Sequence, residues 1–173
     1  MPIYALGDLE PDIHPDAFVH PDAVIIGRVA VGEQSSIWPT AVLRGDVDTG
    51  IIIGARTSIQ DGTVVHTTHT QATTVGNDCV IGHLVHLEGC IIEDGCLVGS
   101  GSIVLHHARV ETGALVGAAA LVPNNMVVPS GSMALGVPAR IKPDTVSPGM
   151  IADAAATYIR YTERYRKDLR RLA

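Results

Sequence analysis

The run from Ile92 to Val128, IEDGCLVGSGSIVLHHARVETGALVGAAALVPNNMVV, places an aliphatic residue at every sixth position: Ile92, Val98, Val104, Val110, Val116, Val122 and Val128. Working back toward the N-terminus, the same spacing holds through Ile13, Val19, Ile25, Val31, Ile37 and Leu43. It resumes at Ile53, Ile59 and Val65, and again at Val75, Ile81 and Leu87. A single five-residue step separates Leu87 from Ile92. A period of six suits neither an amphipathic helix nor an alternating strand. It suits stacked coils of short strands joined by tight corners, with the aliphatic residue inward. Four places further on, the residue is usually small, as at Ala23, Ser35, Thr57, Thr63, Cys79 and Cys96. A larger side chain there would collide at an inward corner. The expected fold is an all-β solenoid, a parallel β-helix of hexapeptide repeats, over residues 1–138.

Composition agrees. Hydrophobic residues make up 46% of the 173, yet aromatics only 3%, so the interior is filled by small and branched aliphatics. The net charge of -6 argues against a nucleic-acid partner. Three cysteines without a CxxC spacing make no disulfide framework, and Cys79 and Cys96 read as packing residues. The start, MPIYALGDLEPD, has no basic or apolar region of a signal peptide, and no stretch is apolar enough to span a bilayer. These features predict a cytoplasmic protein with no membrane partner.

Two interruptions, residues 49–52 (TGII) and 71–74 (QATT), read as loops leaving the solenoid. Residues 139–173 read as a Pro-rich connector and a C-terminal α-helix packing on the β-helix. Ser147 is the expected N-cap, with Pro148 in the first turn. The apolar face runs Ile151, Ala155, Tyr158, Thr162, Tyr165, Leu169. Arg160, Arg164, Lys167, Arg170 and Arg171 form a solvated basic face.

The candidate chemistry lies in histidines outside the inward slots: His66 follows Val65, His83 lies two places after Ile81, and His86 precedes Leu87. Val65 and Leu87 should stack, which brings His66 within about 4.8 Å of the neighbours of Leu87. With His83 supplied from a neighbour, three nitrogens and an open fourth position make a catalytic zinc set. Arg44 and Asp46, two apart on a strand, point to one side and can pair. His106 and His107 read as surface residues, and His14 and His20 receive no role.

The segments IWPTAVLRGD, IGARTSIQDGTVVH, IGHLVHLEGC and LGVPARI resemble the γ-class carbonic anhydrases and their close homologues over nearly the whole chain. That resemblance implies a left-handed β-helix and a homotrimer with Zn2+ sites between subunits. It implies CO2 as substrate, hydrated reversibly to bicarbonate by metal-bound hydroxide. His66 would be a ligand from one subunit and His83 from the next. Arg44 and Asp46 would form an intersubunit pair, Gln60 would orient the bound water, Asp61 would support the site, and Tyr158 would stand near the metal. The family's third histidine falls on Glu88 here, while a histidine stands at His86. Both face outward, so the third ligand is either His86, the favoured reading, or Glu88. In the first case Glu88 is an active-site carboxylate. Fe2+ or Co2+ could replace zinc, since both accept imidazole. The loops lack the family's acidic proton-shuttle residues, and His69 and Glu88 are the nearest substitutes. The alternatives are a metal-binding family member without hydratase activity and a hexapeptide-repeat acyltransferase.

Overall fold

The computed structural model describes residues 2–147 and 149–172. Short strands, mostly of two to four residues, are laid into three sheets, two of seven strands and one of eight. Successive strands visit the first, second and third sheet in turn, so each coil contributes one strand to each face. Every ladder is parallel except one. The result is a left-handed parallel β-helix of about seven turns closed by one C-terminal helix.

The six-residue series forms the core. Ile25, Ile37, Leu43, Ile59, Val65, Ile81, Leu87 and Ile92 are all fully buried, in one cluster running along the solenoid axis. The small positions are buried corners, and the polar ones act as connectors between coils. Ser35 Oγ donates to the Gly54 carbonyl and accepts from the Thr57 amide; Thr57 Oγ1 donates to the Gly76 carbonyl and accepts from the Cys79 amide. Cys79 Sγ continues the column to the Glu93 carbonyl at 3.0 Å. Cys90 fills an equivalent corner, where burial pushes its thiol pKa up to about 12. The five-residue step to Ile92 hides its phase in the sequence. Thr57→Val keeps the shape but strands a buried amide and carbonyl. Denaturant unfolding should register a loss of about 1–3 kcal/mol.

Most corners also place a left-handed residue one position before the small one, although those before Ala17 and Ala23 do not. Gln34, Thr40, Arg56, Asp78, Leu84, His107, Ala119 and Asn125 all take it, with φ between 54° and 63°. Non-glycine residues tolerate this conformation only where packing holds them there.

The interruptions differ from expectation in their limits. Ile51–Ile53 and Thr73–Val75 are strands of the second sheet, with Ile51, Ile53, Thr73 and Val75 buried. The inserted loops are therefore 46–50 and 67–72, both at the corner between the first and second sheets. The stretch read as a connector also contains a strand, Arg140–Lys142, which runs antiparallel to Met133–Leu135 and extends the third sheet.

The helix, α1, spans Met150–Asp168. Its N-cap is Gly149 in the left-handed region, with no side-chain cap, rather than Ser147. Pro148 lies outside the described residues. Ile151, Ala155 and Thr162 are buried, but Leu169 is the C-cap and half-exposed, so the apolar face ends one turn early. The helix packs on the third sheet, against Ser36–Ile37 and Val80–Ile81. The aromatics absent from the solenoid interior collect there. Trp38 packs against Phe18, Tyr158 and Tyr165 with ring centroids 5.4, 5.9 and 5.0 Å away. Its indole Nε1 donates to Ser36 and Ser58. Arg166 ties the helix to the first coil through the Asp16 and Ala17 carbonyls.

Candidate metal centre

Three first-sheet strands, Val42–Gly45, Val64–His66 and His86–Glu88, lie side by side. Their register aligns Arg44, His66 and Glu88 in one outward row, and Val42, Val64 and His86 in another. Inward Leu43, Val65 and Leu87 between the rows force this alternation. His66 Nδ1 is 2.9 Å from Glu88 Oε1, and its Nε2 is 3.0 Å from Asp46 Oδ1. The other Glu88 oxygen, Oε2, meets His86 Nε2 at 3.3 Å and His106 Nε2 at 3.4 Å. Thr73 braces the row from behind, donating to the His66 carbonyl and accepting from the Gly89 amide.

Desolvation alone would raise the Glu88 pKa, but hydrogen bonds from His66, His86 and His106 outweigh it and hold the carboxyl below its usual range. Asp46 behaves alike: burial raises its pKa, and the bonds to His66 and Arg44 more than reverse this. Both carboxylates are therefore anionic around His66. Arg44 pairs with Asp46 within the chain, and Asp46 follows the strand's end at Gly45 as the first loop residue.

His83 belongs to a second cluster, at the corner where the chain enters the first sheet from the third. Its Nδ1 meets Asp61 Oδ2 at 2.9 Å, and its ring is half-exposed. This contact leaves Nε2 free to bind another group. Gln60 is buried beside Asp61. Trp38, Asp61, His83, Tyr158, Tyr161 and Arg164 share a cleft of about 390 Å³. Burial, then the neighbouring Tyr161 and Asp61, raises the Tyr158 pKa, so its phenol keeps its proton at neutral pH.

The candidate residues thus divide into two groups. His66, His86, Glu88, Arg44 and Asp46 come together at the sheet; His83, Asp61 and Tyr158 come together under the helix, with Gln60 beside Asp61. Among the described residues, no three His, Cys, Asp or Glu side chains of a single chain are arranged to hold a metal ion. His106, expected to be a surface residue, reaches Glu88 from the next coil. His106 lies one place past the register position of Glu88, because the coil from Leu87 to Val104 is one residue short of three hexads. His14 and His20 also gain a role, since each Nδ1 accepts the amide of Asp16 or Asp22 and closes a corner of the first coil. Among the described residues, no helix is long and apolar enough to cross a membrane.

Comparison with known proteins places this geometry in a family. Residues 72–106 match the model for the bacterial transferase hexapeptide (six repeats). A Methanocaldococcus jannaschii protein named "Probable carbonic anhydrase" is 46% identical over 143 residues, covering 82% of this chain and 89% of the relative. Gamma carbonic anhydrase 1 of Arabidopsis mitochondria is 41% identical over 139 residues, 77% of this chain and 50% of that longer protein. The solved structure of a hexapeptide transferase family protein from Anaplasma phagocytophilum superposes with a TM-score of 0.88 at 33% identity, covering 95% of this chain and 98% of that one. With most of both chains aligned at such identity, the protein belongs to the γ-carbonic anhydrase-like family of hexapeptide-repeat proteins.

Proposed function

We propose that the protein is a zinc enzyme of the carbonic anhydrase type, hydrating CO2 reversibly to bicarbonate at sites shared between the subunits of a homotrimer. The observation that carries this reading is the division of the candidate ligands into two incomplete clusters on one chain. Two copies can each supply the half that the other lacks. The donors suit zinc: neutral imidazoles and an ionised carboxylate bind it at ordinary distances, and Fe2+ or Co2+ would also be accepted.

His66 of one subunit and the equivalent of His83 from the next would hold the ion, with the third donor drawn from the His86–Glu88 pair. The ion would supply a strongly acidified water at neutral pH. Asp61 fixes the tautomer and direction of the His83 ring. Asp46 does the same for His66 and is itself neutralised by Arg44. Gln60 would orient the reacting water. The protonated Tyr158 phenol would line the apolar side of the cleft and donate a hydrogen bond to bound product.

Stopped-flow CO2 hydration by metal-stripped protein should rise with added Zn2+ and level off at one ion per subunit. The altered third position also supports a second reading, a metal-binding family member without turnover, because Glu88 stands there in place of the family histidine. That reading predicts full zinc occupancy with a rate no faster than buffer.

A further inference from the structure

We propose that Glu88, through Oε1, is the third donor to the ion, and that His86 and His106 are positioning residues that hold Oε2. This inference rests on the metal reading above. Three observations support it. First, register pairs Glu88 with His66 and pairs His86 with Val64. In-register neighbours on one face of a parallel ladder stand about 4.8 Å apart and point the same way, so Glu88 shares the position of His66 and His86 is displaced along the strand.

Second, Oε1 already lies 2.9 Å from His66 Nδ1. Two donors about 2.0–2.2 Å from a tetrahedral ion are separated by about 3.3–3.5 Å. The pair needs to open by only a few tenths of an ångström for an ion to replace the shared proton. Third, the carboxylate is used asymmetrically. Oε2 is taken by two imidazoles, His86 at 3.3 Å from the same strand and His106 at 3.4 Å from the next coil. With its Nε2 protonated, His86 donates to this oxygen, His106 stands within ion-pair distance of it, and Oε1 is left facing His66. An imidazole occupied in that way supports a ligand rather than serving as one.

Two imidazoles and a carboxylate form a harder, more negative set than three imidazoles. It should tolerate Fe2+ and Mn2+ better, relative to zinc, than an all-histidine site does.

The test uses the full-length, metal-stripped protein titrated with Zn2+ and Co2+, reading bound metal per chain and the visible absorption bands of bound cobalt. His86→Ala should keep wild-type cobalt bands and lose no more than about 100-fold in affinity, the usual effect of removing a supporting hydrogen bond. Glu88→Gln should lose more than about 100-fold. Glu88→His should bind again, with shifted bands, because nitrogen replaces oxygen. Both side chains face outward from the core, and the unfolding midpoint of each metal-free variant checks that it is folded. Should Glu88→Gln not fold, His86→Ala and Glu88→His decide the question. The proposal is overturned if His86→Ala loses the metal as completely as His66→Ala does, or if Glu88→Gln retains it with unchanged bands. A wild type that binds neither ion overturns the metal reading itself, and this inference with it.

Discussion

Subunits carrying His66→Ala and subunits carrying His83→Ala, each inactive alone, should recover about a quarter of wild-type zinc-dependent CO2 hydration when refolded together in equal amounts. The number follows from symmetry. Each site of a cyclic trimer takes His66 from one subunit and His83 from its neighbour. In any mixed trimer, about one site in three finds an intact copy of both. About three trimers in four are mixed, which leaves about one site in four complete. The physical basis is the placement of the two histidines: His66 lies with Glu88 and Asp46 on the first sheet, and His83 lies with Asp61 at the preceding corner. A site built within one chain would recover nothing on mixing. Stopped-flow measurement before and after co-refolding separates the two cases, and recovery at zero would sink the shared-site reading.

Leu87→Ala should cost about 2–5 kcal/mol in denaturant unfolding, the range for a large aliphatic truncated at a buried site. Leu87 is completely buried, stacked between Val65 on one coil and Val104 on the next. A solenoid coil contacts only its neighbours, so few other contacts can close the gap. The same truncation should weaken zinc binding, because Leu87 lies between His86 and Glu88 and its packing fixes the outward direction of both. The control is Ile103→Ala on the same sheet: Ile103 faces outward and is partly exposed, so its loss should cost well under the Leu87 value. Equal losses at both positions would contradict the assigned inward and outward faces.

Much of this architecture was legible in the sequence, because a six-residue period is a local property. Each inward aliphatic and each small corner residue could be assigned from its spacing to the next. The corner thiols illustrate both the reach and the limit of such reading. Cys79 and Cys96 fall in phase, whereas Cys90 sits beside the five-residue step, and its burial alone marks it as a corner residue. The helix start departs from the sequence expectation for a related reason. Ser147 has the right chemistry for a cap, but the antiparallel strand Arg140–Lys142 and its following turns carry the chain to Gly149 before the helix begins.

By itself the sequence determined the coiled β-helix, its aliphatic interior, the family to which it belongs and the short list of polar residues able to bind a metal. Only the tertiary structure decided which of those residues meet. Contacts between coils depend on register, and register depends on the total length of each turn, loops included. Coils 22 residues long set Arg44, His66 and Glu88 in one row and leave His86 beside Val64. The shorter coil that follows brings His106 to Glu88, a meeting that spacing within any single repeat does not encode.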